Sequence, residues 1–197
     1  LTQEDLAVRQ STLPPCYRTF LIAIVFTTLL IAPCVCVSAQ DDEANQRLAV
    51  EAKAGLDRAV RFFRDEVSTE GGYLWRYSED LATREGEGTA DEYTVWVQPP
   101  GTPSVGIALL GAYRATDDPA YLAAATDAGH CLVQGQLASG GWDYRIAFES
   151  GQRARYAYRV ELGEDANTDG LRNTSVFDDN TTQAAMRLLM ELDRELE

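Results

Sequence analysis

Histidine occurs once in this chain, at His130. One imidazole rules out a His-based catalytic triad and any multi-histidine metal site, since each needs partners of fixed type around the ring. Cysteine is scarce where it would matter. Cys16, Cys34 and Cys36 all precede residue 40, and Cys131 alone follows it. Disulfides within residues 40–197 are therefore excluded. Cys131 lies in an Ala-rich helical pattern and reads as a small buried hydrophobe. There is no Walker motif, no metalloprotease helix and no nucleophile elbow. Positive charge is also short: 17 Lys and Arg stand against 31 Asp and Glu, a net charge of −14. Glu4, Asp5, Arg9 and Arg18 cancel within residues 1–39, so the remainder carries the whole imbalance. Such a surface repels nucleic acid and anionic membranes. It also repels polyanions unless a basic cleft or a bridging cation intervenes. Solubility alone would equally favour such a charge.

The chain has little in the way of long apolar runs. Residues 20–32, FLIAIVFTTLLIA, are short and poorly flanked for a spanning helix, with a retained membrane anchor as the alternative reading. Arg18 precedes this run and Val37-Ser38-Ala39 follows it, the order of a secretory signal and its cleavage site. Residues 1–39 are thus expected to be a signal peptide with an extended N-terminus. The mature protein is expected to begin near Gln40, to be secreted or periplasmic, and to lie off the membrane. Pro33 and Val35, before Cys34 and Cys36, argue against a lipoprotein.

From residue 43 to 68, Leu48, Ala52, Leu56, Ala59, Val60, Phe63 and Val67 recur at helical spacing. Gly71-Gly72 ends that pattern. Residues 71–100 read as a long loop, with a short strand over Tyr93–Val97. Helices are predicted from Pro103 to Ala115 and from Pro119 to Ala138, separated by a Thr-Asp-Asp-Pro turn. Residues 149–175 are polar and irregular. A last helix begins near Asp178, with Asp178 or Asp179 as its N-cap and Ala185, Met186, Leu189 and Leu192 on one face.

An internal repeat organises these elements. Gly71-Gly72-Tyr73-Leu74-Trp75-Arg76 matches Gly140-Gly141-Trp142-Asp143-Tyr144-Arg145, and SVGIALL at 104–110 resembles QAAMRLL at 183–189. Each unit is a helix, a turn, a helix and a Gly-Gly-aromatic loop. Repeated helical hairpins bury their faces against neighbours, as a solenoid or a closed ring. The expectation is an all-α, α/α toroid-like domain over residues 40–197, complete or incomplete.

The two loops bring rings and guanidinium groups together. Trp75, Arg76, Trp142, Tyr144 and Arg145 would suit an acidic oligosaccharide, with rings stacking on sugar faces and arginine pairing with carboxylates. Equally, the rings could plug the core and the arginines cap helices. Asp178-Asp179-Asn180 clusters oxygen ligands fit for Ca²⁺, whereas capping needs only one of them. Asp165-x-Asn167-x-Asp169-Gly170 begins like a calcium loop, but Val176 stands where the closing acid belongs, which favours a polar turn. Arg84-Glu85-Gly86-Glu87-Gly88 reads as a solvated loop or as the carrier of an acid or base.

With these phrases together, GGYLWRYSEDLATREGEG, WVQPPGTPSVG, GGWDYRI and DDNTTQAAMRLLMELD, the chain resembles the pectic acid lyases (pectate lyases) of polysaccharide lyase family 10 over roughly residues 48–195. The resemblance implies an α/α toroid and Ca²⁺-assisted β-elimination of polygalacturonate. A cation and arginines would neutralise the uronate carboxylate, and a basic residue, typically arginine, would remove the proton on the adjacent carbon. It places Asp178 or Asp179 at an acidic metal site. Two departures stand out. Gly101-Thr102-Pro103 occupies the place of a family Asp-Asn pair. The family's catalytic arginine falls in helices beyond residue 197, which leaves Arg145 and Arg159 as stand-in bases. The functional expectation is therefore a protein that cleaves or binds acidic polysaccharide. A non-catalytic carbohydrate-binding or protein-interaction scaffold is the alternative.

Overall fold

The computed structural model describes residues 41–163 and 166–197. The expected signal peptide over 1–39 and its cleavage point near Gln40 lie outside the described residues, as does Asp165. Among the described residues, no helix is long and apolar enough to cross a membrane. The chain divides into two units, Leu1–Gly55 and Leu56–Glu197. In the first, residues 41–55 are helical, and Arg47 bridges Glu43 one turn away at 2.5 Å.

The second unit opens with helical residues 56–62 (α1) and a π-helical turn, Phe63–Val67. Three short strands follow: β1 Arg76–Tyr77, β2 Arg84–Glu85 and β3 Thr89–Ala90. They form an antiparallel meander in which Arg76 faces Glu85 and Arg84 faces Ala90. A second sheet joins β4 Thr94–Trp96 to β5 Arg145–Ala147, with Trp96 opposite Arg145. Between them run α2 Thr102–Thr116 and α3 Pro119–Gln134. After β5 come α4 Ser150–Arg153, 3-10 turns at Arg159–Glu161 and Asp178–Asn180, and α5 Thr181–Leu196.

The all-α toroid-like expectation is therefore overturned: the fold mixes helices with two antiparallel sheets. The reason is local. The Gly-Gly-aromatic segments are not mere connectors between hairpins, since their backbones extend and pair. Strands of two or three residues are too short to leave a period-two signature, so all but the one near Tyr93–Val97 are invisible in the sequence.

The helical core follows the sequence closely. Asp117 turns left-handed at φ 55° to end α2, and the Asp118 carboxylate accepts the Ala120 N–H at 3.1 Å to start α3, with Pro119 in its first turn. α5 packs across this hairpin through Leu188 and Leu192, which occupy the room left by Gly106 and Gly129. A Cβ at Gly106 would come within 2.3 Å of Leu188 Cδ2, and one at Gly129 within 2.5 Å of Leu192 Cδ1. Leu109, Leu110, Tyr121, Leu132, Leu137, Trp142 and Ile146 complete a buried hydrophobic interior that also holds Cys131. The buried face of α5 is thus Ala185, Leu188 and Leu192, while Met186 points outward.

Candidate functional site

The repeat seen in the sequence has a structural counterpart. The Tyr73 N–H donates to Thr102 Oγ1 at 2.9 Å, and the Trp142 N–H donates to Thr182 Oγ1 at 3.2 Å. Each loop therefore hangs from a threonine at the start of the next long helix. Both first aromatics are buried. Trp142 is 1% exposed and donates its indole N–H to the Leu132 carbonyl at 2.7 Å. Its faces are closed to a sugar, and of the two readings of that ring it takes the core one.

The later positions of each loop emerge at the surface. Trp75 is half-buried, donates its indole N–H to the Gln98 carbonyl at 2.9 Å, and meets Trp96 edge-on with ring centres 6.0 Å apart. Arg145 lies over the Trp96 ring at 5.8 Å, because cross-strand partners in β4 and β5 project on the same sheet face. Arg76 pairs with its cross-strand neighbour Glu85 at 3.0 Å. Gly86 packs its backbone on the Trp96 ring, where a Cβ would lie 2.2 Å from Cδ2.

Gln98 connects these groups and was not singled out by the sequence reading. It is 6% exposed. Its Oε1 accepts the Trp96 indole N–H at 3.2 Å, and its Nε2 donates to Asp179 Oδ2 at 2.9 Å. One buried carboxamide thus ties the tryptophan under Arg145 to the exposed carboxylate of Asp179. The only hint in the sequence is its position before Pro99-Pro100 in WVQPPG.

Asp178 and Asp179 do not cap α5. Asn180 stands at the N-cap in left-handed conformation with no side-chain capping bond. The Thr182 N–H reaches the Val176 carbonyl at 3.1 Å instead. Asp178 Oδ1 accepts the neighbouring Asp179 N–H at 3.0 Å, and both carboxylates are exposed. Tyr144 stands beside them. Desolvation raises its pKa first, and the carboxylates of Asp178, Asp179 and Glu87 raise it further. The hydroxyl therefore stays protonated and can donate.

Three other surfaces bear on the candidates. Trp75 and Arg76 line a cleft of about 650 Å³ with Phe62, Phe63, Tyr77 and Pro100. Arg159 lines a separate cleft with Ala138, Leu162 and Thr168, which shares no lining residue with the surroundings of Arg145. Asn167 Oδ1 accepts the Asp169 N–H at 2.8 Å, a local polar turn.

Among the described residues, no group of three or more His, Cys, Asp or Glu is placed to hold a metal. Ca²⁺ takes six to eight oxygens. Asp178 and Asp179 supply two carboxylates, with one oxygen of each already accepting a hydrogen bond. The donor set fits Ca²⁺ only where water and a ligand's own carboxylate complete the shell. Compared with family models, curated proteins and solved structures, the chain matches none.

Proposed function

We propose that this chain is a pectate-lyase-like protein that binds acidic, polygalacturonate-type polysaccharide, with Ca²⁺ shared between Asp178, Asp179 and the uronate carboxylate. The observation that carries the reading is the Gln98 relay, which ties the buried Trp96 ring beneath the Arg145 guanidinium to the exposed carboxylate of Asp179. In a chain of net charge −14, a polyanion needs a local guanidinium and a bridging cation together. When bound, the cation supplies charge neutralisation of the carboxylate. Arg145 pairs with a second acidic oxygen, Tyr144 donates its hydroxyl proton, and Trp96 and Trp75 fix the guanidinium and the loop that bear on the sugar.

Cleavage by β-elimination is the second reading. It is favoured by the place of Arg145 next in the chain to Tyr144, the residue that feels the Asp pair, since a base near the cation is what proton removal from the adjacent carbon requires. Arg159 has no part in it, because it lines another cleft. The alternative of a protein-interaction scaffold has no observation of its own in its favour.

Polygalacturonate with and without Ca²⁺ separates these readings. Retention on the immobilised polymer without new ultraviolet absorbance means binding, and rising absorbance from unsaturated products means lyase action. No retention under either condition overturns the proposal. Ca²⁺ with a galacturonate oligomer should also raise the melting temperature, by the equivalent of about 2.7 kcal/mol at a hundredfold excess over the dissociation constant. The double variant Asp178→Asn, Asp179→Asn keeps the local hydrogen bonds, and Asn tolerates the left-handed backbone at 179 (φ 48°). It should stay folded and lose the Ca²⁺-dependent rise.

A further inference from the structure

The cleft of about 650 Å³ that Trp75 borders is aromatic, and neither Asp178 nor Asp179 lines it. Its rings come from two directions. Phe62 and Phe63 are neighbours where α1 meets the π-helical turn, and successive helical residues point about 100° apart. They cannot both enter one core: Phe62 stays 47% exposed and Phe63 40%. Their rings meet edge to face, at 76° with centres 6.1 Å apart, so they form a corner rather than a stack. Phe63 is held there by the buried Tyr73 ring, also 6.1 Å away. Trp75 and Tyr77, on either side of the first residue of β1, border the same cleft.

Most polar groups of this cleft are already engaged. The Trp75 indole N–H donates to the Gln98 carbonyl at 2.9 Å, which leaves that ring only its π surface to offer. The Tyr77 hydroxyl accepts the Leu74 N–H at 2.6 Å, and its ring carries the Arg84 guanidinium 5.8 Å from the centre. Two charged residues line the cleft, Arg76 and Glu79. Arg76 is neutralised by Glu85 at 3.0 Å. Glu79 has no hydrogen-bond or ion-pair partner among the described residues. The cleft thus presents the faces of Phe62, Phe63 and Trp75 with one unmatched negative charge. A ring face attracts a cation through its quadrupole, and a cation clothed in methyl groups also gains by covering apolar surface. An anion is repelled by Glu79 and by the −14 of the whole chain.

We propose that this cleft binds a small soluble organic cation, a trimethylammonium or similarly alkylated amine, with Phe62, Phe63 and Trp75 around the cationic head and Glu79 balancing its charge. The site is separate from the acidic-polysaccharide reading and stands or falls without it. A bare primary ammonium is a poorer ligand, because it is compact and strongly hydrated.

The test uses the full chain, titrated by NMR with choline and with its neutral isostere, in which a tert-butyl group replaces the trimethylammonium. Choline should bind about tenfold more tightly than the isostere, the range of a cation–π contact joined to an exposed ion pair. Glu79→Gln removes the charge, and Phe62→Leu keeps an apolar side chain while removing the ring face. Each should weaken choline several-fold and leave the isostere unchanged. Asp193→Asn, which removes an exposed carboxylate on α5, should leave both affinities as in the wild type. Unaltered melting curves establish that each variant is folded. If the isostere binds as tightly as choline, the cleft is apolar only and the proposal is overturned. Absence of choline binding overturns it as well. If Asp193→Asn weakens choline as much as Glu79→Gln, the effect is one of general charge and the site is again overturned. Retention on phosphatidylcholine vesicles without binding of free choline would place the cation on a lipid surface and overturn the soluble ligand.

Discussion

Thr102 and Thr181 both stand at the N-terminal ends of long helices, and both side chains are buried. Their hydroxyls fare differently. Thr102 Oγ1 accepts the Tyr73 N–H at 2.9 Å and donates to the Tyr73 carbonyl at 3.2 Å. Thr181 Oγ1 has no hydrogen-bond partner among the described residues. A buried hydroxyl without a partner carries its desolvation cost uncompensated. Thr102→Val should therefore destabilise by about 1–3 kcal/mol, because it strands the Tyr73 N–H. Thr181→Val should be neutral or stabilising by about 1 kcal/mol. Urea unfolding of the two variants side by side checks this, and equal losses would refute the distinction. Cys131 gives a second test at this scale. Burial pushes its thiol well above the usual range, and the side chain is 1% exposed. A thiol reagent at pH 8 should leave Cys131 unmodified in the native protein and react promptly in urea.

At the scale of elements, the long helices were legible because each has a strong local stop and start. The Asp117-Asp118-Pro119 corner needs only a left-handed residue, a capping carboxylate and a first-turn proline, all adjacent in sequence. Periodicity identified helices without identifying what they face: Leu48 and Met186 fit apolar stripes and remain exposed. α2 and α5 are joined at their outer ends by Arg114, which reaches Glu191 at 2.7 Å and Glu195 at 2.5 Å. Arg114 holds the Glu191 carboxyl below its ordinary pKa, mainly through that hydrogen bond. A group whose pKa is lowered on folding stabilises above its unfolded value, and the contribution vanishes as pH falls through the folded value. Wild type should thus lose melting temperature between pH 5 and 3 more steeply than Glu191→Gln. Parallel melting curves over that range would show that the bridge contributes nothing. Within the same packing, Leu188→Ala empties the space against Gly106 and should cost about 2–5 kcal/mol by chemical denaturation.

For the whole molecule, the excess of acid predicts a salt effect. Screening of a −14 charge should raise the melting temperature modestly between low and physiological ionic strength. Export is tested separately: after expression in a secreting host, the chain is expected outside the cell with a new N-terminus at or near Gln40 by mass spectrometry, and an intact 1–39 segment would refute cleavage there. The sequence by itself determined the charge, the lack of disulfides after residue 40, the positions of the long helices and the repeat of Gly-Gly-aromatic loops, because each depends on composition or on residues a few places apart. The pairing of β4 with β5 was decided only by the tertiary structure, since it joins residues 94–96 to 145–147 through strands too short to mark themselves. So was the division of the loop aromatics between core and surface: Trp142 went inside to reach the Leu132 carbonyl, and Trp75 stayed near solvent against Trp96. Gln98 is the clearest case. Only its place before Pro99-Pro100 marks it locally, yet burial forces its carboxamide to find partners, and the fold supplies them from Trp96 two residues away and from Asp179 on the far helix start. A hydrogen bond of that reach is a property of packed elements, and no spacing along the chain encodes it.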